Sequence, residues 1–281
     1  MTVKETRIIK YELDRPAFLE DHPDFVGVEF TEHSKEWLNW PDAVEFAFEQ
    51  GNGAILQSAR EAAAFRIEAE GKHDADLYQA TRNVALYFKV GDKFYCAIDD
   101  VIDPEQNIVI ASAEEGFKSH LNEDKYLLPV TDSLVKGVLS RAEKTGRIVE
   151  ATESPLELKT KAVNGKSEFG QNDWNKAILL DMAEPYAGML NKRGYEIGCV
   201  WSLTPDSLEK KGVDGKFVEV RPVGLGVSNY NNIDDVDAVN QFDDDGRSGG
   251  VRRAKNFSTG NKGRLVKLDK RLYAKVRKSL A

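Results

Sequence analysis

The sequence predicts an α+β protein: a mixed or antiparallel sheet packed with helices, then an extended acidic loop and a basic C-terminal helix. Three observations predict it. Helical stripes and short alternating strands, including an antiparallel meander, share the first 228 residues. Hydrophobic residues make up 41% of the 281, enough apolar surface for the core of one large domain or two small ones. The net charge of −8 is spread unevenly. Residues 252–281 hold 11 Lys+Arg against the single acid Asp269, a charge of +10. Residues 1–251 hold 28 basic and 46 acidic residues, a charge of −18. These features divide the chain into a principal body over residues 1–228, an extended acidic and glycine-rich segment over 229–256, and a basic amphipathic helix over 257–281.

The elements follow in order. Residues 6–13 and 25–30 read as short strands, with Pro16 and Pro23 breaking the stretch between them. Pro41 can open a helix, and Val44, Ala47 and Phe48 share its inner face. Residues 54–70 read as a second helix, with Ile55, Ala59, Ala62, Ala63 and Ile67 in one stripe. Residues 74–82 read as a third, shorter one. Residues 84–90 and 93–98 form a hairpin around Gly91-Asp92, and residues 107–111 can add a strand to it.

Asp132 or Ser133 caps a helix to about Lys144, with Leu134, Val135, Val138, Leu139 and Ala142 inward. Residues 147–150 and 156–162 read as strands and 163–172 as a loop. Residues 173–192 are helical, with Pro185 imposing a kink or a division into two helices. Residues 195–204 alternate, which predicts a strand that turns Tyr195, Ile197, Cys199 and Trp201 toward the core. Residues 217–222 are its expected partner. Beyond Asn229 the pattern lapses until Leu265, Leu268, Leu272, Val276 and Leu280 mark out a helical stripe.

Motifs for chemistry are sparse. Glu157 and Lys159 stand two apart on an expected strand, so they share a face. With an upstream carboxylate such as Asp132, Glu150 or Glu153, that pair is the minimum of a Mg²⁺-dependent phosphodiester-cleaving site. The pattern is common by chance, and a solvated strand face or helix end is the favoured reading. Asp234, Asp235, Asp237, Asp243, Asp244 and Asp245 cluster, but an EF-hand loop with Gly246 at its glycine position would begin on Gln241 and end on Arg252, which fails at both ends. The histidines, at 22, 33, 73 and 120, lack metal-ligand spacing, and no glycine string has dinucleotide or P-loop spacing. No metal and no cofactor are expected. Cys96 and Cys199 sit in apolar runs and read as buried free thiols. Trp37 and Trp40 are either core packing or an anchor for a partner.

The functional expectation is a non-catalytic subunit of a larger assembly, such as a viral-particle or nucleoprotein component. Its docking residues are Arg252, Arg253, Lys267, Lys270, Arg271, Lys275, Arg277 and Lys278. The partner is a protein or a second copy, with nucleic acid possible through residues 252–281. The alternatives are a nucleic-acid-cleaving enzyme using Glu157 and Lys159, and an acidic inhibitor or decoy. No apolar run reaches the length of a membrane span, and residues 1–5 carry no secretion-signal pattern. A cytoplasmic or virion location is expected.

Overall fold

The structure, a computed structural model, describes residues 11–12, 15–31, 33–50, 54–69, 78–100, 102–103, 108–109, 132–214, 218–228, 233–239 and 250–253. The N-terminal part holds β1 (Tyr11–Glu12), α1 (Pro16–Asp21), a 3₁₀ turn (Pro23–Phe25), β2 (Val28–Phe30), α2 (Trp40–Glu49), β3 (Ile55–Leu56) and α3 (Ala59–Ala69). The hairpin β4 (Gln79–Val90) and β5 (Lys93–Asp100) follows, then the short β6 (Ile102–Asp103) and β7 (Ile108–Val109). Next come α4 (Asp132–Thr145), β8 (Ile148–Glu150), β9 (Leu156–Lys159), α5 (Glu168–Gln171) and α6 (Asp173–Leu179). A 3₁₀ turn (Leu180–Met182) leads into α7 (Ala183–Lys192), β10 (Ile197–Trp201), α8 (Pro205–Lys210), β11 (Glu219–Ser228), β12 (Ile233–Asp237) and β13 (Gly250–Arg253).

Seven strands form the main sheet in the order β8-β5-β4-β11-β12-β10-β9. It is mixed: β10 runs parallel to β12, and the other neighbours are antiparallel. A second sheet, β1-β2-β13-β3, joins the start of the chain to residues 250–253. Helices with a mixed sheet make the fold α+β, as the sequence predicts. Gly91, at φ 62°, supplies the left-handed residue that the β4–β5 turn requires.

Helices cover the main sheet on both faces, but unequally. On the first face α3, α6 and α7 bury Phe65, Ala177, Ile178, Tyr186 and Leu190 against Tyr87, Ile98, Val200, Leu225 and Val236. On the second face α2 and α4 bury Trp40, Val44, Val138 and Leu139 against Leu86, Phe88, Tyr95 and Val220. Among the described residues, β12, β10 and β9 contribute nothing to this second cluster.

Several expectations are corrected. Residues 54–70 are not one helix: β3 comes first, and α3 begins only after Ser58. Residues 79–82, read as the end of a helix, open β4. Their side chains are all buried, and pairing with β11 overrides the local preference. Residues 108–109 pair with β6 in a separate two-stranded sheet rather than extending the hairpin. The expected loop at 163–172 contains α5, capped by the Ser167 hydroxyl, which accepts from the Gly170 amide at 2.8 Å. The 173–192 region is divided, but at Leu180 (φ 58°) rather than at Pro185. Pro185 sits in the first turn of α7, where its missing N–H leaves no intrahelical bond unmade.

The register of 195–204 is also corrected. A Cβ on Gly198 would meet the Phe169 ring at 2.6 Å, and Val200 lies in the first cluster. Gly198 and Val200 therefore face the helices. Ile197, Cys199 and Trp201 alternate to the other face, where Trp201 is 37% exposed. Both parities of this strand are apolar or small, so alternation alone selects the face wrongly. Its neighbours are β12 and β9; residues 217–222 lie instead within or just before β11, which pairs with β4 and β12. Within the segment 229–256, residues 233–237 are a strand inside the main sheet and 250–253 a strand inside the smaller one. Ala238 and Val239 follow the first of these strands, and the rest of that segment and the expected basic helix at 257–281 lie outside the described residues.

Candidate functional site

Glu157 and Lys159 both lie on β9, the edge strand of the main sheet, and both are exposed. Glu157 registers opposite Cys199, and Lys159 opposite Ile197. Lys159 Nζ lies 3.5 Å from Glu168 Oε1, and the Lys159 amide donates to Glu168 Oε2 at 3.3 Å. Glu168 thus covers an outward-facing amide of the edge strand. Of the three upstream carboxylates considered, Glu150 is bonded to Lys93 Nζ at 2.8 and 3.0 Å. Among the described residues, no group of three or more His, Cys, Asp or Glu is placed to hold a metal ion.

Arg252 and Arg253 lie on β13, where the backbone registers Arg252 with Glu29 and Arg253 with Val28 of β2. On its other edge β13 registers Gly250 with Leu56 and Val251 with Ile55 of β3. The root of the basic segment is therefore a strand held between two others. Lys267, Lys270, Arg271, Lys275, Arg277 and Lys278 lie outside the described residues. Asp234, Asp235 and Asp237 belong to β12, where Asp235 registers opposite Cys199 and Asp237 opposite Trp201. Asp243, Asp244 and Asp245 are outside the described residues.

Two charged clusters escape sequence reading. The first is buried where α3 meets β4 and β5. Ser58 caps α3 through a reciprocal pair: its hydroxyl accepts from the Glu61 amide at 3.2 Å, and Glu61 Oε2 accepts from the Ser58 amide at 2.8 Å. The same Glu61 oxygen accepts from Arg82 at 2.5 Å. Arg82 also reaches Asp100 at 3.2 Å and the Leu56 carbonyl at 2.9 Å. Asp100 further binds Asn83 and, at 3.3 Å, Arg147, whose Nε donates to the Ala177 carbonyl at 2.6 Å. Burial opposes the charge on Arg82, but Glu61 and Asp100 outweigh it and raise its pKa. Burial likewise works to raise Asp100, and Arg82 and Arg147 more than reverse it. Asp99, on the other face, differs: burial, with Asp100 adding to it, lifts it to about 6 despite Arg141 at 2.6 Å.

The second cluster joins the N-terminal arm to the helices. Arg60 on α3 donates to Asp24 at 2.5 Å and to Asp181 at 2.5 and 2.8 Å. Its guanidinium stands 4.5 Å from the Phe25 ring centroid. His22 Nδ1 lies 3.2 Å from Asp181. Burial works against the Asp181 charge, but the bonds from Arg60 and His22 hold the carboxyl well below its usual range. The one legible signal for either cluster is the Ser58-x-x-Glu61 spacing, a capping box.

The remaining expected residues are settled by packing. His33 is buried beside Gln79, 3.0 Å away. Trp40 is buried and donates to the Thr81 carbonyl at 2.7 Å, whereas Trp37 is 40% exposed and precedes α2. Cys96 and Cys199 are buried and unpaired with each other, as expected. Burial pushes the Cys96 thiol well up, which makes it a poor nucleophile. Among the described residues, no helix is long and apolar enough to cross a membrane. No protein-family model, curated protein or solved structure matches the chain.

Proposed function

We propose that this chain is a non-catalytic subunit of a larger assembly, a viral-particle or nucleoprotein component, which docks through its basic C-terminal segment. One observation supports the reading most. The segment that carries +10 starts on β13, a strand paired on both sides within the body. A cationic segment with so firm a root transmits a docking force to the whole fold. Its charge opposes the −18 of residues 1–251, so one copy's segment is attracted to the surface of another. The paired state of the clustered charges also fits a scaffold: Arg60, Arg82 and Arg147 each hold parts of the body in register. A cytoplasmic or virion location goes with this proposal.

Light scattering behind size exclusion tests it, on the full chain and on a chain ending at Arg253. The expected result is a concentration-dependent mass above the 31.4 kDa monomer for the full chain at low salt. The shortened chain should remain folded and monomeric. A full chain that stays monomeric at every concentration, and binds neither protein nor nucleic acid, would overturn the proposal.

A further inference from the structure

The main sheet ends on β8 at one side and on β9 at the other. The β8 edge is closed by a helix: Trp174 of α6 donates to the Glu150 carbonyl at 3.2 Å. The β9 edge has a lighter cover. The Thr160 amide donates to the Glu196 carbonyl at 3.0 Å, so Thr160, Leu158 and Leu156 turn their backbone groups toward β10. Glu157 and Lys159, which alternate with them, turn theirs outward. The Lys159 amide accordingly donates to Glu168 at 3.3 Å. The same carboxylate lies 3.5 Å from Lys159 Nζ. Among the described residues, one exposed side chain thus stands where a further strand would pair.

We propose that β9 is a self-complementary edge through which two copies join, and that Glu168 holds it closed in the isolated copy. Charge selects both the occupant and the register. In an antiparallel pair, outward-facing residues must meet outward-facing residues. Aligning Glu157 with the second copy's Glu157, or Lys159 with the second copy's Lys159, sets like charges opposite each other. Aligning Glu157 with the second copy's Lys159 sets opposite charges together, twice about a two-fold axis. That axis passes between the two Leu158 residues. Leu158 registers with Gly198, where a Cβ would meet the Phe169 ring, and it is partly buried against the first cluster. The two leucines meet as a non-hydrogen-bonded pair, in which side chains approach most closely, and carry that apolar layer across the axis.

The contact is small. Three residues from each copy bury far less than the roughly 1,000 Å² of a stable complex. With Glu168 in place an isolated chain therefore stays single, and the edge acts as a second contact where copies are already gathered. The inference goes beyond the assembly reading, because it uses residues 157–168 and not the basic segment.

Cysteine trapping tests it on the full chain at 500 mM salt, where contacts of the basic segment are screened. Glu157→Cys, Leu158→Cys and Lys159→Cys are each made alone and together with Glu168→Ala. Glu168 is exposed, so its replacement leaves the core intact. Covalent dimer is read on non-reducing gels after mild oxidation. Two cysteines join only when their Cα atoms lie within about 7 Å. Position 158 therefore reports the favoured register, and positions 157 and 159 report the two rejected ones. The expected result is dimer from Leu158→Cys, formed at least threefold faster with Glu168→Ala, and at least fivefold less dimer from the other two positions. Equal trapping at all three, no dimer from Leu158→Cys with Glu168→Ala, or a rate that Glu168→Ala leaves unchanged would overturn the proposal. As a second readout, adding Lys159→Glu to the Leu158→Cys, Glu168→Ala chain should slow trapping, and adding Glu157→Lys as well should restore it. Failure to restore would overturn the register. None of these failures touches the assembly reading, which the light-scattering test at low salt decides separately.

Discussion

The two halves of the main sheet differ in how they are held. In the β8-β5-β4-β11 half, helices press on both faces, and ten consecutive residues of β4, from Gln79 to Phe88, are buried. In the β12-β10-β9 half, the helices among the described residues press on one face, and the other carries exposed Trp201, Glu157 and Lys159. The first half is organised for stability, with a paired ionic network at its seam. The second leaves charge and apolar surface together at an edge, the arrangement expected of a contact surface.

The largest effect that would sharpen this contrast lies in the ionic network. Arg82→Ala leaves Glu61 and Asp100 buried without their main counter-charge and should cost about 3–5 kcal/mol in a urea titration. A cost near that of a surface mutation would break the contrast. Next is Gly198→Ala, whose new methyl meets the Phe169 ring and should cost about 1–3 kcal/mol by overpacking. Trp201→Ala should cost less than the ~3–5 kcal/mol of a fully buried tryptophan, because its ring is partly in water.

Asp99 gives a pH test. Its carboxyl is lifted to about 6 in the fold, against 3.8 as the ordinary value. The fold therefore binds this proton more tightly, and the stability so gained is complete below about pH 4 and lost as pH rises through 6. Asp100 and Asp181 act oppositely: their pKa values are lowered, so their contribution is present above about pH 4 and lost as pH falls further. In thermal melts, Asp99→Asn should remove a stability loss on the order of 2 kcal/mol between pH 4 and 6. An unchanged pH profile would contradict the buried placement. The smallest effect belongs to the other half: Glu157→Ala should change stability by less than about 0.5 kcal/mol. Retained Mg²⁺-dependent DNA cleavage by wild type, lost in Glu157→Ala, would instead establish the enzyme reading.

The same contrast explains what the sequence made legible. The β4–β5 hairpin was readable because Gly91-Asp92 punctuates two apolar runs, and α4 because Val138, Leu139 and Ala142 keep helical spacing. Strand β10 was readable as a strand but not in its facing, since Gly198 buries by accepting the Phe169 ring and thus carries no hydrophobic signal of its own. Strand β12 was hidden because Asp234, Asp235 and Asp237 resemble solvent loop, and only pairing with β10 and β11 makes it a strand. The charged clusters were invisible because their members are distant in sequence: Arg60 meets Asp24 across 36 residues and Asp181 across 121. Arg252 and Arg253 were named for their charge, whereas their place on β13 depends on β2 and β3, more than 190 positions earlier.

The claim that the basic segment 252–281 is the docking element is tested most directly by fluorescence anisotropy on a labelled duplex, as a polyanionic probe, between 50 and 500 mM salt. The full chain should bind at 50 mM and lose roughly 10³-fold in affinity or more at the upper end, as counterion release at several cations requires. The chain ending at Arg253 should bind at least tenfold more weakly at 50 mM. Equal binding by the two chains, or binding that ignores salt, would contradict the account.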